Sequence, residues 1–80
     1  MFYVYVLKSL VNGRLYTGQT KNLTERFVDH NRGKSKVVGR YAPYKLLYWE
    51  EHGDRPSAVR REIFLKSGKG REFLKSTLPD

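Results

Sequence analysis

Asn12-Gly13 stands between two β-prone runs, and no other feature constrains the chain as tightly. Phe2 to Lys8 (FYVYVLK) alternates β-branched and aromatic residues, and Arg14 to Thr20 (RLYTGQT) is its natural partner. Asn-Gly in such a place is the strongest short-range hairpin signal, because a type I′ turn needs positive φ at both central residues. A two-residue turn pairs Val11 with Arg14 and Ser9 with Tyr16. Side chains alternate faces along a strand, so Tyr3, Tyr5, Leu7 and Ser9 then share a face with Tyr16, Gly18 and Thr20. In this register Tyr5 and Tyr16 are offset along the strands by roughly 13 Å. A longer loop or a bulge closes that gap, whereas a slip of one residue sends the tyrosines to opposite faces. Gly18 ends the second strand, where a missing side chain permits close approach of another group.

The rest of the chain reads as helix, basic loop, strand and two helices. Asn22 is a good N-cap, Glu25 completes a capping-box pair, and Gly33 suits the position after the last turn. Leu23 and Phe27 form the buried stripe of this helix. Arg26 and His30, also one turn apart, lie about 60° around from that stripe and so at the edge of the packed face. Arg32 to Arg40 (RGKSKVVGR) cannot build core; Arg32, Lys34, Lys36 and Arg40 make it a phosphate-contacting loop. Tyr44 to Glu51 predicts a third strand lying against the hairpin, its Glu50 and Glu51 read as a polar strand end. Asp54 caps the next helix, with Pro56 near its start. Its inward arc is Ala58, Val59, Ile63 and Leu65. Glu62 falls within that arc, where a carboxylate is costly unless paired or bound to a cation; Arg26 is one available partner, a hard cation the other. After a Ser67-Gly68 break, Arg71 to Thr77 forms a last helix, with Phe73, Leu74 and Leu78 closing the core. The expected fold is α/β (α+β): a small three-stranded, mainly antiparallel sheet flanked by two to three helices, in the order β-β-α-β-α-α.

Eighty residues make one domain, 1–80, near the lower limit for a single core. Sixteen Lys and Arg against eight Asp and Glu leave a net charge of +8, the footprint of a polyanion binder. There is no cysteine, which excludes a disulfide framework and any Cys-based zinc site. No run approaches 18 apolar residues, and the N-terminus lacks the pattern of a signal peptide, so no membrane partner and a cytoplasmic location are expected.

Tyr5, Tyr16, Arg26, His30 and Glu62 are the inward polar residues, drawn from two strands and two helices. Together they suit a phosphodiesterase site. Glu62 offers a ligand for Mg²⁺, which takes few carboxylates and several waters. Arg26 matches phosphate oxygens with its planar fork. A phenol or imidazole takes the proton of an attacking water, although an unperturbed tyrosine is a poor base. At these residues the sequence resembles the GIY-YIG nucleases. Tyr3-Val4-Tyr5 and Tyr16-Thr17-Gly18 look like the two name-giving triplets, and KNLTERFVDHN (21–31) is similar to the family helix with its catalytic arginine at Arg26. His30 corresponds to a position held by His or Tyr, and Glu62, in RREIFLK (60–66), to the family's metal-binding glutamate. Tyr3 stands where the family name has Gly.

The resemblance implies a Mg²⁺- or Mn²⁺-dependent endonuclease hydrolysing DNA with low sequence specificity, in repair or recombination, with no accessory targeting domain. RNA stays open as a substrate. Tyr5 or Tyr16 is implied in activating water, and Tyr5→Phe is expected to be the costlier change. Two other readings compete. One is a non-catalytic nucleic-acid-binding module that keeps the basic surface; the other is a basic subunit that needs a partner protein for activity.

Overall fold

The computed structural model describes residues 1–31 and 42–77. The elements follow in the expected order: β1 (Phe2–Ser9), β2 (Leu15–Thr20), α1 (Leu23–Asn31), β3 (Tyr44–His52), α2 (Arg55–Lys66) and α3 (Gly68–Thr77). β1 is the central strand of an antiparallel sheet ordered β2-β1-β3. Both of its faces are covered, which is why Val4, Tyr5, Val6 and Leu7 are all buried in succession. On one face Tyr5 and Leu7 pack with Tyr44, Leu46, and Leu23 and Phe27 of α1. On the other, Val4 and Val6 meet Ala58 and Leu65 of α2 and Leu74 of α3. Each fully buried aliphatic side chain contributes about 1.5–3 kcal/mol, so the two small clusters are the main source of stability.

The hairpin departs from the two-residue turn. β1 and β2 pair Tyr5 with Gly18 and Leu7 with Tyr16, two residues away from the expected register. Only Gly13 has positive φ, at 74°, and Asn12 does not join it in the left-handed region. Local side-chain bonds explain the longer turn. The Ser9 hydroxyl accepts from the backbone N–H of Val11 and of Asn12, at 3.1 and 3.3 Å, and Asn12 Oδ1 accepts from Arg14 N–H at 2.9 Å. Ser and Asn side chains compete with ladder bonds in this way. Because the shift is an even number of residues, the face assignment survives, and Tyr5 and Tyr16 stay on one side.

β3 carries a bulge opposite Val6 and Leu7: Val6 pairs with Tyr48 but Leu7 with Leu46, leaving Leu47 as the extra residue. The bulge changes the facing along YKLLYWEEH, so that Tyr44 and Leu46 reach the α1 face while Tyr48 reaches the α2 face. A two-residue side-chain period cannot do both without an inserted residue. Asn22 caps α1, its Oδ1 accepting from Glu25 N–H at 3.0 Å while Glu25 Oε2 accepts from its amide at 3.4 Å. Asp54 caps α2 through Ser57 N–H at 2.8 Å. Two expectations fail in the helices. Ile63 is exposed rather than inward, and α3 begins at Gly68, three residues earlier than the sequence suggests. Phe73 and Leu74 do close the core; Gly33 and Leu78 lie outside the described residues.

Candidate active site

Tyr5 anchors the site. It is 1% exposed, on the central strand, and its ring lies directly over Gly18 of β2. A methyl group at Gly18 would sit 2.5 Å from the Tyr5 hydroxyl oxygen and 2.8 Å from Cζ, so the ring occupies the space a side chain would need. The close approach expected at Gly18 is therefore met by a neighbouring tyrosine within the fold.

Arg26 projects from the exposed flank of α1, and its Nε–H donates to the Tyr5 hydroxyl at 3.4 Å. That length marks a weak bond, but it fixes the direction of the guanidinium. Burial raises the Tyr5 phenol above its usual value near 10, against the opposing pull of the Arg26 hydrogen bond and charge. Tyr5 is thus a neutral phenol at physiological pH. Arg26 is held charged beyond its ordinary range by its bond to Tyr5 and the proximity of that phenol, with smaller contributions from Tyr16 and Asp29. Tyr16 is half-buried on the edge strand β2, and both it and Glu62 are close enough to act electrostatically on the Tyr5 hydroxyl. Four of the five expected residues thus share one electrostatic neighbourhood. His30 lies one turn beyond Arg26 on α1. Arg32, Lys34, Lys36 and Arg40 lie outside the described residues.

Glu62 leans inward but has a partner other than Arg26. Its side chain keeps about a fifth of its surface exposed (21%), and Lys66 Nζ lies 2.6 Å from its Oε2. Its neighbour Arg61, with 28% of its side-chain surface exposed, is the residue of α2 that reaches β3, where its Nε–H donates to Glu50 Oε1 at 2.8 Å. Glu50 also accepts from the Tyr48 hydroxyl at 3.0 Å and lies 3.1 Å from His52 Nε2. The Arg61 guanidinium stacks 5.0 and 4.9 Å from the ring centres of Phe64 and Phe73. Successive helical residues are separated by about 100°, so Arg61 and Glu62 leave α2 in different directions, Arg61 to β3 and Glu62 to within electrostatic reach of the Tyr5 hydroxyl. No sequence signal joins Glu50 to Arg61, since neither their separation nor their elements imply contact. Asp29 is the other residue that sequence reasoning missed; its place one turn from Arg26 on the same helix is the signal that could have found it.

No group of three or more His, Cys, Asp or Glu that could hold a metal occurs among the described residues. A lone, partly exposed carboxylate fits magnesium, which retains most of its water, and does not fit a structural zinc site. No helix among the described residues is long and apolar enough to cross a membrane.

A three-stranded sheet that sets two tyrosines against a helix arginine, with a glutamate carried in from a later helix, is the arrangement of this chain, and its family gives the class, a nuclease-type catalytic domain. The chain belongs to the GIY-YIG family: the family model described as the GIY-YIG catalytic domain matches residues 1–75. It is 40% identical over 70 residues to a UPF0213 protein of Streptococcus pyogenes serotype M3, covering 86% of this chain and 75% of that protein. A UPF0213 protein of Staphylococcus haemolyticus is 38% identical, with 91% and 89% of the two chains covered. The solution structure of a UPF0213 protein from Bacillus halodurans superimposes with a TM-score of 0.59 at 31% identity, over 96% of this chain and 85% of that one.

Proposed function

We propose that this protein is a divalent-metal-dependent DNA endonuclease that hydrolyses phosphodiester bonds with little sequence specificity. The observation that carries the reading is the convergence of a neutral, buried Tyr5, a fixed Arg26, a half-buried Tyr16 and the Glu62 carboxylate on one margin of the sheet. A pure binding module has no use for a carboxylate beside its phosphate-seeking cations, because like charges repel.

Arg26 binds the scissile phosphate and stabilises the charge that develops on it. A guanidinium has five N–H donors, and the one spent on Tyr5 orients the others. Tyr5, kept protonated by burial, is the positioning phenol that holds this orientation. The proton of the attacking water passes to a less buried group, either Tyr16 on the open edge strand acting as its phenolate or His30 acting as neutral imidazole. Magnesium or manganese held by Glu62 would supply a Lewis acid for the phosphate and leaving oxygen. Lys66 would have to release the Glu62 carboxylate to such an ion. Repair or recombination intermediates are the class of DNA that a small, basic, unspecific nuclease suits.

Conversion of supercoiled plasmid to nicked circles tests the reading. Nicking with Mg²⁺, its loss in EDTA, and its loss in Arg26→Ala are expected. A purified, folded protein that binds plasmid but never nicks it, with either metal, would leave only the binding-module reading.

A further inference from the structure

Tyr3 and Trp49 stand beside Tyr5 on the α1 face of the sheet, and neither belongs to a core cluster. Their rings lie 5.9 Å apart at a tilt of 60°. Trp49, the chain's one tryptophan, is 49% exposed. An open hollow of about 460 Å³ adjoins the pair, bounded by Lys21, Glu51 and the first turn of α1. One cation, Lys21, lines this hollow; the Arg55 guanidinium lies 4.8 Å from the centre of the Phe2 ring, which packs on the opposite, α2 face of the sheet. Burial does not account for a half-exposed indole and a second ring beside a cation. Tyr3 also occupies the place that the family name gives to glycine, so the second ring is an addition to the motif that catalysis does not need.

We propose that Tyr3 and Trp49 form a stacking platform for an unpaired base of single-stranded DNA, with Lys21 drawing in a flanking phosphate. Only an unpaired base offers its π-face to a protein ring, since a duplex buries both faces against neighbouring bases. Exposed aromatics interleaved with cations are the general means of holding single strands without reading sequence. The Glu51 carboxylate shares the rim with Lys21, on a chain carrying a net +8. Tyr5 links the platform to the candidate active site, because its strand partners are Trp49 on one side and Gly18 on the other. The proposal rests on the nuclease reading for the choice of DNA, and it deepens that reading by assigning the site frayed, gapped or flapped substrates.

Trp49 reports on its own ligand. Its fluorescence is titrated with a short oligothymidylate and with a blunt duplex, in EDTA and at low salt. Quenching by the single strand and not by the duplex is expected. By fluorescence anisotropy of labelled DNA, Trp49→Ala should lose roughly 5- to 100-fold in single-strand affinity with duplex affinity unchanged. Tyr3→Leu, followed through Trp49 itself, should weaken the quenching, and Trp49→Phe should retain part of the affinity. Equal quenching by both DNAs, or single-strand affinity unchanged in folded Trp49→Ala, overturns the platform. Because EDTA suppresses cleavage, a protein inert in the nicking assay that still quenches selectively upholds the platform while the nuclease reading falls.

Discussion

Tyr5 and Tyr16 are chemically identical side chains that the fold makes unlike. Burial keeps the Tyr5 phenol protonated and bonded to Arg26, while Tyr16 stands half-open on the edge strand. Phenylalanine at either position keeps the ring and spares packing. Tyr5→Phe should cost a positioning hydrogen bond to a charged group, about ten- to a hundredfold in single-turnover cleavage. Tyr16→Phe should lose proton transfer, on the order of 10²- to 10⁴-fold. This reverses the ranking expected from the sequence, where proximity to Arg26 favours Tyr5 as the acceptor; near-equal, near-native rates would return both residues to packing. Gly18→Ala is a steric test of the same site. Its methyl group has to displace a ring that is itself enclosed, so overpacking should cost about 1–3 kcal/mol in chemical denaturation. Cleavage should fall with it, since Tyr5 cannot move without Arg26.

Helix α2 is tied to β3 by one ion pair and carries Glu62 at the next position. Burial works to raise the Glu50 carboxyl, but the hydrogen bond from Arg61, then that from Tyr48 and the Arg61 charge, hold it below its usual range near 4.5. The unfolded chain therefore binds the proton first as pH falls. The contribution of Glu50 is fully present above about pH 4.5 and is lost as pH drops through the lower folded-state value. Glu50→Gln should flatten this acid limb in urea unfolding and lower stability at neutral pH by about 1–3 kcal/mol. Cleavage should drop as well, because α2, which carries Glu62, loses that tie to β3. Glu62→Ala behaves oppositely. Its pair with Lys66 is a partly exposed i, i+4 contact, so stability should change by less than about 0.5 kcal/mol while metal-dependent cleavage disappears. Unfolding of that variant would expose a structural role for Glu62 instead.

Across the whole molecule, the proposed function makes DNA affinity a matter of counterion release, given a net +8 on eighty residues. Replacing Lys34, Lys36 and Arg40 together by Ala should weaken binding alike for unrelated duplex sequences. The slope of log K against log salt should fall by roughly 0.9 for each phosphate that is no longer neutralised. An unchanged slope would mean that this segment touches no phosphate. The platform at Tyr3 and Trp49 should be unaffected by these changes, because stacking depends far less on salt.

Element order, caps and strand faces are local matters, and they are legible in the chain. Asn22 with Glu25, Asp54 with Ser57, and the alternation from Phe2 to Thr20 each act within a few residues of themselves. The candidate site is legible through the spacing of Tyr5, Tyr16 and Arg26 within one hairpin and the helix after it. Register is not, because Ser9 and Asn12 bond to the turn backbone more effectively than a type I′ turn accommodates them. Nor is the bulge at Leu47, which answers to two sheet faces at once. The partners of the charges on α2 are decided furthest from their own neighbourhood. A helical wheel sees Ala58 and Leu65 and puts Glu62 between them, but it does not see Arg61 meeting Glu50 across the sheet. Short-range bonds and periodicity belong to the sequence alone. The pair of Glu62 with Lys66, one turn apart, is local, whereas that of Glu50 with Arg61 follows only when β3 and α2 pack, since residues eleven apart on two elements meet only through the tertiary fold.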